Sequence, residues 1–114
     1  MQVIVESRSA EASALRSVAE NRLRVVLRRL AWRIPTARVS LSDLNGPKGG
    51  EDKHVQVELR LTGARPVVVS ATGRNWRKAI DTALARASQR VVRTMRRARQ
   101  ATTMASPQPE FEAI

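Results

Sequence analysis

From Asn75 to Arg99 the apolar residues recur at a spacing that only a helix can bring to one side. Trp76, Ile80, Ala83, Leu84, Ala87, Val91, Met95 and Ala98 fall within one arc at the α-helical period. A helix this long with one apolar side needs another layer to cover it, so the remainder of the chain must supply that layer. The other faces are basic. Arg86, Arg90, Arg93 and Arg97 follow at steps of four, three and four and align as one stripe beside the arc, with Lys78 and Arg96 further round. Residues 74–99 hold nine Lys or Arg against the single acid Asp81, a net +8 of the chain's formal +11. Like charges four apart repel by a few tenths of a kcal/mol per pair. Solvated helix faces usually interleave Glu with Lys, and this one does not. A polyanionic partner accounts for the pattern, and the choice of Arg favours forked phosphate contacts and base stacking.

The covering layer is visible as alternation. Val3 and Val5 oppose Gln2, Ile4 and Glu6, which predicts a first strand. Polar residues Ser7–Ser13 then offer caps for a helix starting near residue 10, along which Leu15, Val18, Ala19, Leu23, Val26, Leu27 and Leu30 keep the helical period. Arg24 and Arg28 lie opposite that stripe, Arg16, Arg22 and Arg29 lie on its flanks, and Pro35 ends the element. Val39 and Leu41 against Arg38, Ser40 and Ser42 predict a second strand, and residues 43–53 are a loop dense in turn formers. Val55, Val57, Leu59 and Leu61 alternate cleanly, and Val67, Val69 and Ala71 follow after the short link Gly63-Ala64-Arg65-Pro66, so these two strands form an antiparallel hairpin. Asn75 or Thr72 caps the long helix. The reading is an α+β domain in the order βαβββα, with both helices on one face of a four-stranded sheet and the other face wet. The domain is expected over residues 1–99. Residues 100–114 hold Pro107, Pro109, Glu110 and Glu112 and no basic residue, and read as a flexible acidic tail.

Composition removes several classes of function. At 114 residues the chain suits one domain, and with no cysteine it has neither disulfides nor thiolate chemistry. Residues 1–20 lack the basic and apolar regions of a secretion signal and no long apolar run spans a bilayer, so a soluble cytoplasmic protein is expected. Arg supplies 18 of the 21 positive residues, while aromatics are limited to Trp32, Trp76 and Phe111. Recognition of RNA backbone or duplex shape is therefore preferred over a platform that reads single-stranded bases.

Other candidate motifs carry less. Asn45-Gly46-Pro47-Lys48-Gly49-Gly50 lacks the Gly-Lys-Ser/Thr core of a phosphate loop, though Lys48 and Lys53 can join a larger basic surface. His54 has no second histidine or cysteine to complete a metal site, and Asp43, Glu51 and Asp52 share their loop with lysines. No catalytic residue, metal or cofactor is assigned. For Trp76, on the apolar arc, core packing outweighs base stacking, while Trp32, at the end of the first helix, is open to either core packing or base stacking.

The βαβββα order, the run Asp43-Leu44-Asn45-Gly46-Pro47-Lys48-Gly49-Gly50 followed by Asp52-Lys53, and Ala79-Ile80-Asp81 near the start of a long basic helix together resemble the ribosome hibernation-promoting factor / ribosome-associated inhibitor A family over about residues 1–99. The resemblance implies a fold similar to double-stranded-RNA-binding domains. It also implies binding to the small ribosomal subunit and its rRNA in the channel used by mRNA and tRNA, under stress or in stationary phase. Carried onto this chain, the family's rRNA contacts are Arg22, Arg24, Arg28 and Arg29 on the first helix, and Lys78, Arg86, Arg90, Arg93, Arg96 and Arg97 on the second. The family's usual Asp-x-Tyr before Ala-Ala-Ile-Asp is replaced by Asn75-Trp76-Arg77-Lys78-Ala79-Ile80-Asp81, and the glycine-rich loop is longer than usual. The absence of a second domain after residue 99 implies the short family form. The expected function is a non-enzymatic translation inhibitor, a monomer off the ribosome, with no small-molecule substrate and no membrane partner. The alternative is a general double-stranded RNA- or DNA-binding module acting elsewhere.

Overall fold

A computed structural model describes residues 1–8, 10–44 and 53–105, of which 10, 11 and 101–105 are described by their backbone alone. The elements run β1 (Gln2–Ser7), α1 (Ala10–Ser13), α2 (Arg16–Val26), a 3₁₀ segment (Arg28–Arg33), β2 (Thr36–Asp43), β3 (Lys53–Arg60), β4 (Val67–Gly73) and α3 (Trp76–Ala105). The strands form one mixed sheet in the order β1-β2-β3-β4, with β1 parallel to β2 and the later pairs antiparallel. The parallel pair is joined by the helical crossover that such a pair requires. The α+β reading with helices on one face holds.

Alternation becomes three rows across the sheet, apolar except for Ser7 at the end of β1. Val5, Val39, Val57 and Val69 stand in register, as do Val3, Ala37, Leu59 and Val67, then Ser7, Leu41, Val55 and Ala71. Over these rows pack Ala19 and Leu23 of α2, then Leu27 and Ile34, and from α3 Trp76, Ala79, Ile80, Ala83, Leu84, Ala87, Val91 and Met95, all buried. The predicted arc of α3 is thus its core face, apart from the half-buried Ala98. Asn75 caps α3, its Oδ1 accepting the Lys78 N–H at 2.8 Å. The helix starts tight against the end of β4, because a Cβ on Gly73 would lie 3.3 Å from the Ala79 backbone nitrogen. At Gly63, φ is +76°, the left-handed conformation of the β3–β4 turn.

The expected single first helix is instead three pieces. The chain leaves the α conformation at Leu15 (φ −100°, ψ 5°) and again at Leu27 (φ −101°, ψ 14°). The Leu15 N–H bonds the Ala12 carbonyl three residues back, and Leu30 likewise bonds Leu27. Turns of three residues keep nearly the same apolar phase over a short distance, so spacing alone does not separate them from one helix. At the other end α3 runs to Ala105, six residues past the expected boundary at Arg99, while residues 106–114 lie outside the described residues. Beyond Met95 no described α3 side chain is buried.

Candidate nucleic-acid interface

α3 runs back along the sheet from the Gly73 end of β4 to the β3–β4 turn, and this path decides what each basic residue meets. Arg86 Nη1 donates to the Ser70 carbonyl of β4 at 2.8 Å. It therefore braces an edge strand whose outer backbone groups have no neighbouring strand. Arg90, Arg93 and Arg97 are exposed, with no ion pair or hydrogen bond among the described residues. Arg90 and Arg97, with Thr94 and Ala98, face Ala64, Arg65 and Pro66 across an open groove of about 540 Å³. A smaller hollow joins Arg86, Arg90 and Arg93 to Val69. Arg65 is a member of this surface that the sequence did not single out. Its only sequence signal is its place in a hairpin turn at the end of the sheet toward which α3 returns.

The opposite flank of α3 is different. Arg22 of α2 is ion-paired with Asp81: its Nη2 donates to Oδ2 at 3.0 Å, and its Nε lies 2.8 Å from Oδ1 without the alignment of a hydrogen bond. The two side chains are 39% and 51% exposed, so the pair adds at most about 1 kcal/mol. Its larger effect is to neutralise the single acid of the basic stretch and to take Arg22 out of the free cations. Arg24 is held by Glu20 at 3.1 Å and by the Met1 carbonyl at 3.4 Å. Arg28 and Arg29 are exposed and unpaired among the described residues, as are Lys78 and Arg96. The last two lie five turns apart on one line of α3. The structure thus gathers Arg90, Arg93 and Arg97 with Arg86 and Arg65 on the β4 flank, and keeps the α2 arginines on the other side of α3.

Lys53 sits directly opposite Asp43 in the β2–β3 register and contacts it at 2.7 Å, with both side chains largely buried at 13% and 14% exposed. Its ammonium also lies 5.7 Å from the centre of the Trp76 ring. Lys53 is therefore engaged within the fold, and the Asp43 carboxylate with it. Lys48, Glu51 and Asp52 lie outside the described residues. His54 faces Ser42 and Thr72 in the sheet register. Among the described residues no three His, Cys, Asp or Glu side chains gather into a metal site, and no helix is long and apolar enough to cross a membrane. The outward sheet face is polar: Arg38 lies 3.7 Å from Glu6, which also accepts a bond from the Ser40 hydroxyl.

Comparison with known proteins agrees with this architecture. A family model described as Sigma 54 modulation protein / S30EA ribosomal protein matches residues 3–99. The crystal structure of the Thermus thermophilus Protein Y N-terminal domain is similar at 27% identity and TM-score 0.64, covering 82% of this chain and 98% of that one. The structure of a ribosomal subunit interface protein from Coxiella burnetii shares the fold at 18% identity and TM-score 0.65, covering 82% of this chain and 96% of that one. No curated protein sequence matches the chain.

Proposed function

Because the chain belongs to the Sigma 54 modulation protein / S30EA ribosomal protein family, that of the hibernation-promoting factors its motifs resemble, we propose that it is a ribosome-associated translation inhibitor without catalytic activity. In this reading it binds the small subunit by neutralising rRNA phosphates, and its folded body excludes mRNA and tRNA from their channel by volume. It acts in the cytoplasm under stress or in stationary phase. Off the ribosome it is a monomer.

The observation that carries this reading is the row Arg90, Arg93 and Arg97 beside Arg65, exposed and unpaired among the described residues. The guanidinium groups of Arg90 and Arg93 are exposed on turns of α3 whose inner side is packed through Val91 and Met95, and Arg97 follows on the next turn, so the row presents donors to a phosphate chain along one side of the helix. The interior between the sheet and the helices is filled by apolar side chains.

The test is co-sedimentation of the purified protein with isolated small subunits, large subunits and whole ribosomes across a salt series, beside inhibition of a cell-free translation reaction. Saturable one-to-one binding to small subunits, lost when mRNA and tRNA already fill the channel and matched by inhibition, supports the reading. Equal, unsaturated binding to any RNA would reassign the chain as a general RNA- or DNA-binding module of the same fold.

A further inference from the structure

The chain has two tryptophans, and the fold treats them oppositely. Trp76 is 5% exposed in the core, whereas Trp32 is 75% exposed. Leaving an indole in water forgoes one of the largest burial gains open to a side chain, so an exposed one on a well-fixed backbone calls for a reason. The backbone here is well fixed. Trp32 lies in the 3₁₀ segment Arg28–Arg33, whose end is pinned on both sides: the Arg33 carbonyl accepts the Thr62 N–H at 2.9 Å, the Pro35 carbonyl accepts the Gln2 N–H at 2.9 Å, and Ile34 is fully buried.

The surroundings are cationic. The Arg33 guanidinium stacks over one face of the Trp32 ring, 4.9 Å from its centre. Its buried Nε has no hydrogen-bond partner among the described residues, so stacking, not a polar anchor at that atom, sets its place. With one face covered and the residue three-quarters exposed, the other face is open to solvent. Arg29 precedes Trp32 by three residues, one full turn of a 3₁₀ helix, so the two side chains project along one line with Arg28 beside them. The Thr62 bond also places this segment at the end of the sheet that carries the β3–β4 turn and Arg65.

We propose that Trp32 is a stacking platform for an unpaired base of bound RNA, backed by Arg33, with Arg28 and Arg29 taking the adjoining phosphates. A flat aromatic surface among cations suits a ligand that is both planar and anionic. An apolar protein partner would instead meet a ring already covered by Arg33, with exposed Arg28 and Arg29 in the same segment. This inference rests on the reading of the chain as an RNA binder, and it adds a base contact to a surface otherwise built for backbone.

Fluorescence tests it, since Trp76 is buried and a ligand-dependent change in tryptophan emission reports Trp32. The intact protein is titrated with a single-stranded RNA of about 12 nucleotides, a length within the usual range for such sites, and with inorganic polyphosphate as a base-free polyanion. RNA is expected to quench Trp32, and polyphosphate to bind, as judged by its competition with RNA, without quenching. Trp32→Phe should remove the quenching signal yet keep most of the affinity. Trp32→Ala should weaken RNA binding roughly 5- to 150-fold at every salt concentration, the range for loss of one stacked base, with an unchanged salt slope. Because the ring is exposed, neither variant threatens the fold, and a melting curve verifies this. Equal quenching by both polyanions, an affinity of Trp32→Ala within about twofold of the parent, or no RNA binding at all would overturn the proposal. The ribosome reading fails separately: quenching by RNA that persists while small subunits show no preferred binding would reject the ribosome and keep the platform.

Discussion

Replacing Arg90, Arg93 and Arg97 together by Gln separates phosphate binding from folding. These side chains are exposed and make no bond among the described residues, so their removal costs the fold nothing direct. It also relieves like-charge pairs three and four apart on α3, each worth a few tenths of a kcal/mol. Thermal stability should stay level or rise slightly. Binding should change much more. Each phosphate neutralised contributes roughly 0.7 to 0.9 to the slope of log affinity against log salt, so three arginines carry a slope of about 2 to 3. At about 0.1 M salt the same counterion release is worth about 1 kcal/mol per contact, or a loss of two orders of magnitude or more in affinity for the triple variant. The assay is co-sedimentation with small subunits from about 50 to 300 mM salt, a range over which such slopes are resolved. Arg86→Gln is the internal comparison: it breaks the 2.8 Å bond to the Ser70 carbonyl, so it should lower stability by about 1 kcal/mol while changing the slope by at most about one contact. A triple variant that keeps the parent slope would show that these arginines do not meet phosphate, and the reasoning from the stripe would fail.

Other outcomes follow from single contacts. Asn75→Ala removes the acceptor of the Lys78 N–H and should cost about 1 kcal/mol, read as a lower urea midpoint with an unchanged denaturant slope. Gly73→Ala forces a methyl to 3.3 Å from the Ala79 nitrogen, against backbone that yields poorly, and should destabilise by about 1 to 3 kcal/mol in thermal unfolding. Ile80→Ala opens a cavity at a fully buried site beneath α3 and should cost about 2 to 5 kcal/mol. Asp81→Asn releases Arg22 and raises the net charge by one. Stability should fall by less than about 1 kcal/mol while RNA affinity at low salt increases, as measured by filter binding.

The parts of the fold legible in sequence are those where one residue's neighbours along the chain decide its side. Val55, Val57 and Leu59 face inward because a strand alternates, and Ile80, Leu84 and Val91 because a helix turns. Both facts are local, and both survive in the structure. The interruption at Leu15 and Leu27 was not legible, since a few residues in tighter turns hardly disturb the apolar phase. The boundary at Arg99 was set by a change of charge. Charge does not stop a helix: Ala101 to Ala105 contain no breaker, and the first hostile pair is Ser106-Pro107. Among the basic residues, sequence distinguishes a stripe from a scatter but does not tell a free cation from an engaged one. That distinction needs partners distant in the chain, Asp81 for Arg22, the β4 backbone for Arg86, and Asp43 across the sheet for Lys53. Arg65 joins the groove by the same long-range geometry.

The overhang of α3 gives these charges a second meaning. Ten residues of the helix continue past Met95, the last buried side chain described, a reach of about 15 Å. From Arg96 to Gln100 no side chain is fully buried, so little core holds these turns together, and Arg96, Arg97 and Arg99 push against winding. Helical order there and grip on an anion therefore draw on one free energy. On the proposed phosphate-binding reading, an anion that settles on this end tightens the coil and a turn that frays loosens the hold, so ligation and local folding of this arm are expected to titrate together.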